Sequence, residues 1–117
     1  VPISKITECV KFAEEKAKEF GVRAPMVGHM GDGNFHVVLP YDPAKKEMYK
    51  QLRAFNSSLI RKALELEGTI TGEHGVGLHK KEYLLEQHPD SIPVMKSIKR
   101  TLDPNNIMNP GKIFDLN

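Results

Sequence analysis

Residues 28–36 read GHMGDGNFH. Asp32-Gly33 stands at the middle of the stretch. Asp-Gly is a strong signal for a two-residue type I′ turn, because both turn positions need positive φ. With PMVGHM (25–30) and NFHVVLP (34–40) read as flanking strands, the turn predicts a β-hairpin. Pairing across it sets 31 against 34, 30 against 35 and 29 against 36. His29 and His36 are then directly opposed on one sheet face, with Cβ atoms about 4.5–5.5 Å apart. Two imidazoles that close can share one cation, since Zn–N bonds run about 2.0–2.1 Å. The plain alternative is a tight hairpin carrying two unrelated histidines, with Asp32 and Asn34 as ordinary turn residues.

A second stretch, GTITGEHGVGLHKKEY (68–83), repeats the question. Glu73 and His74 lie between Gly72 and Gly75, where backbone can approach a ligand closely. A carboxylate with two histidines is a common catalytic metal set that leaves a coordination position open. The residues alone leave both readings open, because nothing in the sequence shows that the two stretches meet. His79 and His88 lie among Lys and Glu and read as solvated. Lys80 and Lys81 read as a charged face, with contact to an anion as the sharper alternative. GEHGVG lacks the Gly-Lys-Ser/Thr ending of a phosphate-binding loop.

Outward from these stretches the pattern is helical. Residues 4–20 carry Ile6, Val10, Ala13 and Ala17 at helical spacing, with Ser4 as cap and Gly21 as the terminating residue. Over 44–67, Met48, Leu52, Phe55, Leu59, Ala63 and Leu66 form one apolar stripe that stops at Gly68. TITGEHG (69–75) reads as a short strand or extended turn. Residues 79–87 predict a short helix that stops before Pro89. Ser91 caps a last helix whose Met95, Ile98 and Leu102 are expected to point inward. DPNNIMNPGKIF (103–114) reads as an ordered loop. The order predicts an α+β domain with a small antiparallel sheet.

The bulk numbers narrow the function. Seventeen basic residues against 15 acidic give a net charge of +2, too balanced for a nucleic-acid or anionic-membrane surface. Aromatics make up 7%, with no stacking cluster. The lone Cys9 excludes an internal disulfide framework and has no histidine partner that would make it a nucleophile. No apolar run approaches the ~20 residues of a membrane span. A cytoplasmic location is expected, with peripheral attachment to a membrane as the alternative. VPIS at the start reads like the interior of a longer polypeptide, so a fragment is expected, with a processed mature chain as the alternative.

HMGDGNFH, GTITGEHGVG and DPNNIMNPGKIF, in this order, resemble the C-terminal domain of FAD-linked oxidases. That family includes D-lactate dehydrogenases, the glycolate oxidase flavin subunit and D-2-hydroxyglutarate dehydrogenase. The resemblance runs from VPISKI to PGKIF. It implies a flavoenzyme in which one domain binds FAD while the C-terminal domain caps the flavin and supplies substrate-binding groups. Residues 1–117 resemble the later part of that cap, an α+β domain with an antiparallel sheet, without the FAD-binding domain. The fragment alone is expected not to turn over substrate. The resemblance implies His29, His36 and Glu73 as metal ligands and His74 as the group that takes the substrate hydroxyl proton. Asn34 falls in the same motif as a candidate substrate contact. Asn109 and Lys112 lie in the stretch that runs near the flavin in the family, as candidate cofactor contacts. Some metal-using members carry an Asn two residues after the second His; Val38 stands there, which leaves the substrate open and argues against the hydroxyglutarate branch.

The implied reaction oxidises a 2-hydroxy acid, such as D-lactate or glycolate, to the 2-keto acid. FAD would be held by the other domain. A divalent metal is implied as well, with zinc first and manganese or iron next, since calcium and magnesium suit two imidazoles poorly. Expected partners are the hydroxy acid, the FAD-binding domain of the same full-length chain and an electron acceptor that the sequence does not name. Self-association through the surface where that domain would dock is a further expectation. The competing readings are a metal-dependent hydrolase and a non-catalytic interaction module.

Overall fold

Helical spacing of apolar residues builds four α-helices in the computed structural model, which describes residues 1–116. They are α1 (Ile6–Glu19), α2 (Lys46–Glu65), α3 (Lys81–Gln87) and α4 (Ile92–Leu102). A two-stranded antiparallel sheet, β1 (Met26–Val27) and β2 (His36–Val37), lies between α1 and α2 in the chain. The α+β expectation holds. The chain divides into two compact units, Val1–Gly72 and a second from Glu73 onward.

In the first unit α1 packs on α2. Cys9 and Ala13 from α1 meet a buried set from α2, namely Leu52, Phe55 and Ile60, and Leu66 and Ile70 extend the core beyond that helix. Met48, Leu59 and Ala63 are half-buried, so the expected stripe is the packed face, widened by Ile60. Each large side chain so buried contributes about 1.5–3 kcal/mol. Lys62, on the same helix, is largely covered although charged. Its ammonium bridges Glu8 of α1 at 3.1 Å and Glu65 at 2.9 Å, and it sits 5.7 Å over the Phe12 ring. Burial pushes the Cys9 thiol up, so it stays protonated and unreactive.

The starts and stops of the helices show what residue types decide. Ser4 does not cap α1; it lies inside a 3₁₀ turn, Ile3–Lys5, that leads into the helix. At the far end Gly21 takes φ +64, and Val22 N–H donates to the Ala17 carbonyl at 2.9 Å. This is a Schellman ending with glycine in the left-handed position. α2 ends the same way, with Gly68 N–H donating to Ala63 O at 2.8 Å and Glu67 N–H to Leu64 O at 3.0 Å. Here the left-handed residue is Glu67, at φ +61, one position before the expected glycine. Ser91 holds the N-cap position of α4 without a side-chain cap bond.

Of the two forms expected over 69–75, the structure takes the turn: bends lead to a turn at Glu73–His74, and no strand forms there among the described residues. One expectation for the last helix fails. On α4, Ile98 and Leu102 do not point inward: they are exposed with Val94, while Ile92 is buried and Met95 half-buried. The periodicity reported an amphipathic helix correctly, but periodicity does not say what covers the apolar side. In the second unit Tyr83 and Leu84 of α3 are buried. Lys81 is not merely surface charge; its ammonium donates to Asp115 at 2.8 and 2.9 Å and to the Gly111 carbonyl at 3.2 Å.

Replacing Glu67 by glycine should relieve the left-handed strain and stabilise the protein by about 1 kcal/mol. Denaturant unfolding measures the gain, and an unchanged or lowered midpoint would show that Glu67 carries no strain.

Candidate metal and proton-transfer site

The loop between the strands is not a two-residue turn. Met26 pairs with Val37 and Val27 with His36, so His36 faces Val27 and not His29. The ladder ends at Gly28, which has φ +150, where a Cβ would stand 2.6 Å from Phe35 Cα. Residues Met30–Asp32 then form a 3₁₀ turn closed by Gly33 in the left-handed region. The His29 carbonyl accepts two bonds, from Asp32 N–H at 2.8 Å and Asn34 N–H at 3.2 Å. Asp-Gly does supply the positive φ at Gly33, but the Asp takes a 3₁₀ conformation. The type I′ expectation therefore fails, and with it the derivation of a shared cation from opposed strand positions.

His29 is exposed at the head of that turn, and His36 is half-buried on β2. Gly33 is buried beneath Val1, whose amino group donates to the Gly33 carbonyl at 2.9 Å. Asn34 is half-buried, and a Cβ placed on Gly72 would lie 2.5 Å from its Oδ1 and 3.1 Å from its Cγ. Gly72 is thus a glycine for space. Val38, two positions after His36, is half exposed, and its N–H donates to the Pro25 carbonyl at 2.9 Å.

Glu73 and His74 belong to the second unit. Glu73 Oε1 lies 3.8 Å from His74 Nε2, too far for a hydrogen bond and close enough for Coulomb attraction when the ring is protonated. Both side chains are open to solvent. Gly75 and Gly77 follow with φ +71 and +54, so the backbone beside the pair turns through conformations that suit glycine. Lys80, expected on a charged face, is half-buried, and burial pushes its ammonium pKa down. His79 and His88 are exposed as expected.

The DPNNIMNPGK loop is organised by a residue the sequence reading passed over. Asp103 is buried, and its carboxylate accepts from Ile107 N–H at 3.0 Å, from Met108 N–H at 2.9 Å and from the Lys99 ammonium. Those bonds, the Lys99 one foremost, hold its carboxyl below the ordinary carboxylate range. The signal available in the sequence was an Asp four and five positions before a run needing local N–H acceptors. Asn109 takes φ +47, a conformation asparagine tolerates, and accepts a backbone bond from Lys112 at 3.3 Å. Both side chains are exposed.

Residues 1–113 match the family model described as FAD linked oxidases, C-terminal domain. A probable mitochondrial D-lactate dehydrogenase of Danio rerio is 41% identical over 117 residues, covering 99% of this chain and 24% of that protein. The glycolate oxidase subunit GlcD of Bacillus subtilis is 40% identical over 115 residues, 97% of this chain and 24% of the relative. A D-2-hydroxyglutarate dehydrogenase of Stutzerimonas stutzeri is 41% identical over 90 residues, 74% of this chain and 19% of the relative. The chain spans about a quarter or less of the length of these relatives.

Because its folded carboxyl titrates below the unfolded value, Asp103 contributes stability in full above about pH 4 and loses it as pH falls through the lower folded value. Asp103→Asn should lower the unfolding midpoint at neutral pH and flatten its fall in acid. A variant with an unaltered acid profile would remove Asp103 from that role.

Proposed function

The chain belongs to the FAD-linked oxidases through their C-terminal domain, matched over residues 1–113, and from that premise we propose that it is part of the cap of a flavoenzyme oxidising a short 2-hydroxy acid to the 2-keto acid. The observation that carries the reading is the pairing of GHMGDGNFH with GEHG in a chain about 40% identical, along nearly its whole length, to proteins named for D-lactate and glycolate. Val38 supports a short substrate, because an apolar side chain offers no hydrogen bond to a second carboxylate. The expected location stays cytoplasmic within this proposal; the Danio relative is mitochondrial by name. No helix among the described residues is long and apolar enough to cross a membrane.

The donor chemistry fits a divalent cation: two imidazoles, His29 and His36, with the solvent-accessible Glu73 carboxylate. Zinc suits that set first, and manganese or iron also accept it. Such a cation would polarise the substrate hydroxyl and lower its pKa, while FAD, bound by the rest of the full-length chain, would supply the redox chemistry.

His74 acts as general base for the substrate hydroxyl, since an imidazole nitrogen can accept the proton that the hydroxyl gives up. The Glu73 carboxylate lies 3.8 Å from His74 Nε2, so the cation ligand and the base are neighbours in space as well as in sequence. Beside it, Gly75 serves the φ of +71 rather than space, since a Cβ there would meet no residue beyond its chain neighbours within 4 Å. Asn109 and Lys112, both exposed, offer an amide and an ammonium to the polar edge of the cofactor.

In the full-length protein, His74→Ala should slow reduction of the flavin by D-2-hydroxy acids about 10²–10⁴-fold while leaving the flavin bound. Stopped-flow absorbance measures it. Reduction at the wild-type rate would remove His74 from the chemistry, and turnover without any flavin reduction would favour the hydrolase.

A further inference from the structure

Asn34 is tied at both ends. Its backbone N–H donates to the His29 carbonyl at 3.2 Å, which locks it into the turn that carries His29. Its side-chain amide stands where a Cβ on Gly72 would be, with Oδ1 at 2.5 Å, Cγ at 3.1 Å and Nδ2 at 3.4 Å from that position. Gly72 is not among the positive-φ glycines, so no backbone conformation demands glycine there. What the missing Cβ leaves room for is the amide of Asn34, which would have to turn away if a side chain stood there. Gly72 is bonded directly to Glu73, and Asn34 lies two positions before His36.

We propose that Asn34 is a positioning residue, a spacer that packs on Gly72 and so fixes the path of the chain at the last residue before Glu73. This rests on the reading of His29, His36 and Glu73 as cation ligands. It gives Asn34 a role other than the substrate contact its place in the motif implies. An Asn side chain has two rotatable bonds, and it fills the space beside a glycine without adding charge. Residues that orient metal ligands from behind set affinity strongly; their loss costs about 10–100-fold. The complementary requirement falls on Gly72, where a single added methyl would force the Asn34 amide away.

Co²⁺ titration of the full-length protein tests this, followed by ligand-field absorbance where oxidised flavin is transparent. Asn34→Ala should weaken Co²⁺ binding about 10–100-fold and change the band shape, while the unfolding midpoint of the metal-free protein stays put. Gly72→Ala should weaken it in the same way, yet add nothing in an Asn34→Ala background, because the methyl then has room. Wild-type affinity and band shape in Asn34→Ala would overturn the spacer role, as would strictly additive losses in the double variant or a fall in the metal-free midpoint large enough to account for the whole loss. His36→Ala separates the two levels of the claim. If wild-type protein takes up no Co²⁺, or His36→Ala binds it unchanged, the metal reading fails and the spacer role falls with it. If His36→Ala loses Co²⁺ and Asn34→Ala does not, only the spacer role fails.

Discussion

One carbonyl organises the histidine loop. The His29 oxygen accepts N–H groups from Asp32 and Asn34, which closes the 3₁₀ turn and fixes where the chain re-enters the sheet. Phe35 can then pass close to Gly28, and His36 arrives opposite Val27. The backbone, more than the side chains, decides the outcome: Gly28 ends β1, Gly33 supplies the left-handed residue, and the two histidines are carried on what results. A Cβ at Gly28 would collide with backbone, which cannot move aside as a flexible side-chain end can.

That loop packs against the 3₁₀ turn Ile3–Lys5 that leads into α1, and α1 in turn packs on α2. Phe55 and Cys9 are fully buried, and Lys62 ties α2 to α1 through Glu8 while its ammonium sits over the Phe12 ring. The second unit follows a different logic. Its loop from Asp103 onward has few apolar anchors and is held by cations: Lys99 on Asp103, Lys81 on Asp115, and Arg100 on the Leu116 carbonyl at 2.5 Å.

The helices were legible because a 3.6-residue period survives in any context, and the end of α1 at Gly21 was legible because glycine there does what its position asks. The end of α2 was misplaced by one residue, because Glu67 accepts a conformation usually left to glycine. The hairpin was misread because Asp-Gly is compatible with more than one turn, and pairing register depends on Gly28, whose φ no local pattern reveals. Lys62, Lys81 and Asp103 were missed for a shared reason. A charged residue looks solvated in sequence until its partner, up to 34 positions away for Lys81, is brought to it. The candidate site residues were named from motif order alone. The packing of Asn34 on Gly72 was not legible, because contact between positions so far apart leaves no trace in a single sequence.

The most direct measurement is X-ray absorption at the zinc edge of the zinc-loaded, full-length protein. Scattering from two imidazoles should appear together with a nitrogen and oxygen shell at about 2.0–2.2 Å. A shell with one imidazole or none would contradict the joint role of His29, His36 and Glu73.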